Sequence, residues 1–182
     1  ELGSQAVDFK LIDTNDCEVS LSSFNDSKGY LIMFICNHCP YVIHIQEKIS
    51  QICKDYQDQG LAVFAINSND PINYPDDNIT EMKKRALELN FSFPYLVDKH
   101  QNVAKAYKAA CTPDFFLFDA QKKLVYRGQM DDSRPGNDKP VSGSHLTKAV
   151  NALLNGEKPL TTQLPSLGCN IKWRSGNEPE YF

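Results

Sequence analysis

A chain of 182 residues, 41% hydrophobic and 23% charged, carries enough apolar material for one packed domain and too much for a disordered one. Its net charge of −4 offers no basic field to nucleic acid or to an anionic membrane, and no apolar run approaches the roughly 20 residues that span a bilayer. The opening ELGSQAVDFK lacks the basic start and apolar stretch of a signal peptide, so the expectation is a cytoplasmic protein, or a periplasmic one if a leader has been removed.

In chain order, AVDFKLIDT (6–14) and EVSLSSF (18–24) alternate partially around Asn15-Asp16 and predict an N-terminal β-hairpin. GYLIMFI (29–35) is a continuous apolar run, the pattern of a strand buried on both faces. After Pro40, the positions Val42, Ile45, Ile49, Ile52 and Tyr56 recur at steps of three and four, predicting a helix that ends before Gly60. Pro40 suits the first turn, where a missing N–H costs no intrahelical bond. LAVFAIN (61–67) is a second buried strand, and SNDPINYPDDN (68–78) reads as a long surface loop. Asn78 caps a helix marked by Ile79, Met82, Ala86 and Leu89, with Glu81 three residues after the cap. FPYLVD (93–98) predicts a short strand and KHQNVAKAYKA (99–109) a short helix. DFFLFDA and KKLVYRGQ form a hairpin around Gln121, and SGSHLTKAVNALLNG a helix closed by Gly156. Alternating strands and helices imply an α/β protein with a mixed central sheet.

Six cysteines occur in a chain too long and too apolar to need a disulfide framework, and only Cys36 and Cys39 are closely spaced. A C-x-x-C between a buried strand and a helix is a redox arrangement. The helix N-terminus presents unpaired N–H groups and partial positive charge, both of which stabilise a thiolate. On this reading Cys36 is the exposed nucleophile at the strand end. Cys39, one turn into the helix, is the buried resolving thiol. His38 between them, as an imidazolium, lowers the Cys36 pKa further. Two alternatives stay open: an ordinary buried turn, and a zinc or copper site built on Cys36, Cys39 and a histidine, although a second C-x-x-C to complete four ligands is missing. Haem attachment needs C-x-x-C-H, and Pro40 stands in that place.

CNHCPYV, SND…YP, CTPDFFLFD, YRGQMDDSRPGN and PSLGCNIKW together resemble the thioredoxin-fold redoxins of AhpC/TSA type, over nearly the whole chain. The resemblance implies a thioredoxin fold with an N-terminal hairpin and a mixed sheet flanked by helices, a redoxin domain over 1–156, and an extension over 157–182 packed on it or trailing from it. It implies a thiol–disulfide oxidoreductase acting on protein or small-molecule thiols and disulfides, with no nucleic-acid or membrane partner. No prosthetic group is needed, because the dithiol itself carries two electrons. Thr112-Pro113 resembles the cis-proline loop that faces the redox pair in that fold. DsbA, of the same fold, also has a histidine before its second motif cysteine and a cysteine pKa of about 3.5, so His38 points to an oxidising pair.

The sequence also departs from its relatives. The peroxidase pattern P-x-x-x-T-x-x-C, aligned on Cys39, places Cys36 where the threonine belongs, so a peroxidase is the alternative activity rather than the first. Thioredoxins carry a buried carboxylate on the strand before the motif. Here YLIMFI (30–35) has none, so proton transfer needs water or another acid. Cys111 and Cys169 are candidate third thiols, with plain packing as the alternative, and for Cys169 anchoring of the tail by Ile171 and Trp173. Cys53 belongs to the core, Cys17 is incidental, and His44 is a packed or solvated histidine rather than a ligand. Arg127 and Arg134 either bring positive charge to the site or pair with Asp131 and Asp132.

Overall fold

The computed structural model describes residues 1–182. The hairpin forms as β1 (Lys10–Asp13) and β2 (Glu18–Ser20), its turn held by the Asp13 carboxylate, which accepts the N–H groups of Asn15 and Cys17 at 2.8 and 2.9 Å. The second arm stops at Ser20, and Leu21–Ser23 is a 3-10 turn rather than strand. The apolar run becomes β3 (Gly29–Phe34), followed by α1 (Pro40–Gln57), β4 (Leu61–Asn67), α2 (Ile79–Glu88), β5 (Tyr95–Val97) and α3 (Asn102–Tyr107). Then come β6 (Cys111–Thr112), β7 (Asp114–Asp119), β8 (Leu124–Gly128), α4 (Ser144–Leu154) and β9 (Cys169–Asn170).

Seven strands make one mixed sheet in the order β2-β1-β5-β4-β3-β7-β8, with β3, β4 and β5 parallel and the outer pairs antiparallel. Because β3 is central, both its faces are covered, and its side chains divide by parity. Leu31 and Met33 pack with Val42, Ile45, Ile49 and Ile52 of α1 and with Leu146 and Val150 of α4. Tyr30, Ile32 and Phe34 pack on the other face with Ala104 and Tyr107 of α3 and with Ile171 and Trp173. All four aliphatic residues of the α1 stripe are buried, at about 1.5–3 kcal/mol each, which fixes the rotation of that helix over the sheet. The Asn78 side chain accepts the Glu81 N–H at 2.9 Å, and α4 is followed by Gly156 at φ 70°, as the cap signals predict. No helix is long and apolar enough to cross a membrane.

The segment 68–78 is a surface loop only over 72–76; its two ends run inside the protein. Ser68, Asn69, Asp70 and Asp77 are buried, because their polar groups are met inside the protein. Ser68 donates to Asp98 at 2.7 Å, the Asp70 N–H to the Lys172 carbonyl at 2.8 Å, and Asn69 and Asn67 both donate to Asp77. The last 26 residues fold back over this loop. Ile171 and Trp173 are buried, and β9 pairs antiparallel with β6, Cys169 opposite Thr112 and Asn170 opposite Cys111.

Candidate active site

Parallel neighbours β3 and β4 end on the same edge of the sheet, so the loop after each meets the other there. The loop after β3 carries Cys36, Asn37, His38 and Cys39. Helix α1 begins at Pro40, which makes Cys39 its N-cap residue and leaves Cys36 a full turn before it. Pro40 itself is exposed and shapes the start of the helix. The chain-order expectation of Cys39 one turn inside the helix is therefore corrected. So is the expected exposure of Cys36, which is 2% exposed, whereas Cys39, at 0%, is buried as expected.

What covers them is the Thr112-Pro113 loop, whose peptide bond is cis, as the resemblance implies. Thr112 touches both sulfurs. Its hydroxyl lies 3.3 Å from Cys36 Sγ, and its carbonyl accepts the Cys39 thiol at 3.2 Å while that thiol is protonated. Beyond Thr112 lies β9, which packs the half-buried Cys169 against the buried cluster that contains Cys36 and Cys39 and sets its thiol near enough to Cys39 to lower that sulfur's pKa. Three thiols thus converge.

Cys36 and Cys39 share a single negative charge: a hydrogen bond between the thiols favours a thiolate on one and a protonated thiol on the other, while burial opposes charge on both and the Asp77 carboxylate opposes it on Cys36. The Cys39 pKa falls to about 4, first through the hydrogen bond from Cys36 and then through the Cys169 thiol, which overcome burial. Cys36 is pushed far up by that same hydrogen bond, by burial and by the nearby Asp77 carboxylate. The first-turn N–H groups of Val42 and Ile43 both bond the Cys39 carbonyl at 3.0 Å, so the helix end acts on the Cys39 sulfur through its dipole rather than through a cap hydrogen bond. Cys169 is raised to about 11, by burial and by its contact with Cys39.

His38 meets Asp77, not a sulfur. Its Nδ1 contacts Asp77 Oδ2, and its ring stacks on Tyr74 with centroids 5.3 Å apart. Any imidazolium charge there is matched by a carboxylate whose side chain is 0% exposed. Asp77 also accepts the Asn37 N–H at 2.6 Å, Asn67 Nδ2 at 3.1 Å and Asn69 Nδ2 at 3.1 Å, while Tyr95 donates to Asn37 Oδ1 at 3.0 Å. These bonds lock the Cys36–Cys39 loop to the neighbouring strand. Composition concealed Asp77, Asn67, Asn69 and Tyr95 as site residues. The available signal was topological, since a polar loop after a strand parallel to β3 has to pass the cysteines.

One atom each of Cys36, His38 and Asp77 lies within 4.8 Å of the others, a spacing a metal ion accepts. The carboxylate, however, already receives three amide donors, from Asn37, Asn67 and Asn69, besides the His38 ring, so its lone pairs are largely committed to holding the loop.

The remaining candidates lie further out. Cys111 has its Sγ 3.8 Å from the Pro113 carbonyl and its pKa raised to about 12 by burial. Arg127 pairs with Asp114 at 3.1 Å and covers the Phe116 ring, and Arg134 donates to the backbone carbonyls of Asp131 and Ser133; neither pairs with the carboxylates of Asp131 or Asp132. His44 bonds Ser133 at 2.7 Å and Cys53 is core, 3.8 Å from Met33 Sδ; Cys17 is exposed at the hairpin.

With a cysteine pair at the start of α1, facing a cis proline across the edge of a mixed sheet, the geometry meets the family comparison. A sequence model described as the AhpC/TSA family matches residues 2–127. The chain belongs to the AhpC/TSA family. This AhpC/TSA protein is similar to a hypothetical protein from Sinorhizobium meliloti 1021, at 49% identity and a TM-score of 0.95 over 97% of this chain and 96% of that one. It also resembles thiol-disulfide oxidoreductase ResA of Halalkalibacterium halodurans, 27% identical over 123 residues, which are 68% of this chain and 65% of the relative, so the match spans just under two thirds of the relative's length. The thioredoxin domain of a thiol-disulfide oxidoreductase from Bacteroides vulgatus superposes with a TM-score of 0.62 at 21% identity, covering 83% of this chain and 99% of that domain, which establishes the thioredoxin fold.

Proposed function

We propose that this AhpC/TSA protein is a thiol–disulfide oxidoreductase in which Cys36 and Cys39 are the two-electron couple, cycling between dithiol and disulfide. The observation that carries the reading is geometric: Cys36 and Cys39, the N-cap of α1, lie together under the cis Thr112-Pro113 loop, with Thr112 against both sulfurs at 3.3 and 3.2 Å, and a hydrogen bond from Cys36 favours a thiolate on Cys39. Exchange requires a thiolate beside a second sulfur, and Cys36 is that sulfur. Thr112, bonded to both, holds them together, and the Asp77 network fixes the loop between them. The relatives named thiol-disulfide oxidoreductase support the same chemistry. The commitment of Asp77 to holding the loop favours it over a metal-carrying role, and the placement of Cys36 in the peroxidase pattern favours it over peroxide reduction.

The test is the reduction potential of the pair, by equilibration in thiol–disulfide buffers with acid trapping. A reversible two-electron transition is expected, more oxidising than the roughly −270 mV of thioredoxin, because a stabilised thiolate favours the dithiol. Cys39→Ser abolishes that transition. If no disulfide forms at any poise, or if hydrogen peroxide is turned over saturably without exchange activity, the reading fails.

A further inference from the structure

We propose that Cys169 is the thiol through which the covered Cys36–Cys39 pair meets its dithiol and disulfide partners, by forming an internal Cys39–Cys169 disulfide. The inference rests on the Cys36–Cys39 couple proposed above.

Access is the first argument. Cys36 and Cys39 are 2% and 0% exposed, so a partner's sulfur has no line of approach to either, whereas Cys169 is half-buried and borders solvent. Opening the site by lifting the tail is costly. The residues around Cys169 are tied down by the Ile171 N–H to the Ala110 carbonyl at 3.0 Å, the Lys172 N–H to Asn69 Oδ1 at 2.8 Å and the Arg174 N–H to Gln101 Oε1 at 3.0 Å, with Ile171 and Trp173 buried. Gly168 lies so close that a Cβ built there would stand 1.9 Å from the Thr112 carbonyl oxygen.

Register is the second argument. Cys169 is the antiparallel partner of Thr112, the residue whose carbonyl contacts Cys39 Sγ at 3.2 Å. Directly opposed residues of an antiparallel pair have Cα atoms about 4.5–5.5 Å apart, which brings the Cys169 side chain beside the same sulfur. Cys36 and Cys39 lie in one buried cluster and Cys169 packs against it, so Cys39 has a thiol neighbour on each side, one buried and one at the surface.

The steps balance as follows. In the oxidised protein, Cys169 Sγ attacks Cys39 Sγ; the Cys36–Cys39 bond breaks, the Cys39–Cys169 bond forms, and the proton lost by Cys169 passes to Cys36. No electrons are gained or lost. A partner dithiol then attacks Cys169 Sγ with its first thiolate, displacing Cys39, whose low pKa makes it the better leaving group. The partner's second thiolate attacks the partner sulfur of that mixed disulfide, displacing Cys169, which takes up a proton. The partner leaves as a disulfide and the protein retains its two electrons. Reduction of a partner disulfide runs through the same steps reversed.

Two experiments decide it. Cys36→Ser, oxidised with diamide and mapped by mass spectrometry after acid quenching, yields a Cys39–Cys169 disulfide; recovery of Cys39 and Cys169 as free thiols overturns the proposal. In stopped-flow reduction by dithiothreitol, oxidised Cys169→Ser and Cys169→Ala react at least tenfold more slowly than the parent protein, and Cys169→Ser, whose hydroxyl keeps a donor for Cys39, is slowed as much as Cys169→Ala. An unchanged rate, or a mixed disulfide trapped on Cys36 instead, overturns it. Failure of the parent protein itself to titrate as a two-electron couple rejects the Cys36–Cys39 reading, a result separate from either outcome for Cys169.

Discussion

Replacing Gly168 by alanine probes how tightly the C-terminal strand is locked over the Thr112-Pro113 loop. The residue does not occupy the left-handed region, so on conformational grounds alone alanine stabilises, by about 0.4–1 kcal/mol through the unfolded chain. Space argues the other way. The new Cβ would meet the Thr112 oxygen at 1.9 Å, its carbonyl carbon at 2.6 Å and the Pro113 nitrogen at 3.1 Å, all backbone atoms with no rotamer to adopt. The strand has to move by more than an ångström, which loosens the β6–β9 pair and the Ile171–Ala110 hydrogen bond. Overpacking of this kind costs about 1–3 kcal/mol and each bond weakened about 0.5–1.5 kcal/mol. The clash wins, and the net effect is a loss of about 2 kcal/mol, or about 4–8 °C in Tm for a chain of this size. Urea unfolding should show a lower midpoint at unchanged slope. Combined with Cys36→Ser, the same change should lower the yield of the Cys39–Cys169 disulfide. A neutral or stabilised Gly168→Ala protein with an undiminished cross-link would refute the packing argument.

Asp77→Asn leaves at least two of four N–H donors facing an amide instead of a carboxylate, a cost of about 3 kcal/mol in urea unfolding. It also lowers the Cys36 pKa, since that carboxylate helps raise it; iodoacetamide labelling of Cys36 in a Cys39→Ser background should quicken, and an unchanged rate would contradict the assignment. Thiolate absorbance near 240 nm in the reduced protein should persist down to pH about 4 and vanish in Cys39→Ser; a titration midpoint near 9 would place the charge elsewhere. Asp114, buried beside Arg127, has its pKa raised from 3.8 to about 6, so the folded protein keeps a proton that the unfolded chain has lost. That contribution is complete below pH 4 and is lost as pH rises to about 6, where stability falls by about 3 kcal/mol. Asp114→Asn removes this slope, and the difference between the two proteins, flat across the window, would exclude it.

Wherever a single local pattern decides the outcome, the chain was readable in advance. The α1 stripe of Val42, Ile45, Ile49 and Ile52 has helical spacing, and all four residues are buried on one face. Asn78 and Gly156 ended their helices where capping chemistry requires. The run at 29–35 was apolar throughout because its strand is central. The C-x-x-C and Thr112-Pro113, 76 residues from Cys36 to Thr112, met because both flank strands adjacent in the sheet, β3 and β7.

Charge and cover were not readable, because both depend on groups distant in sequence. A loop rich in turn-forming residues buries Asp77 only because Asn37, Asn67 and Asn69 converge on it. How the charge is shared between Cys36 and Cys39 depends on Cys39 standing at the N-cap of α1 rather than a turn inside it, on the Asp77 carboxylate and on a third thiol, Cys169. Cys169, 130 residues from Cys39, comes to it through the pairing of β9 with β6. Periodicity and capping act within a few residues along the chain, whereas the field at a buried sulfur is summed over whatever the fold packs around it, and that sum exists only once the tail has closed over the sheet.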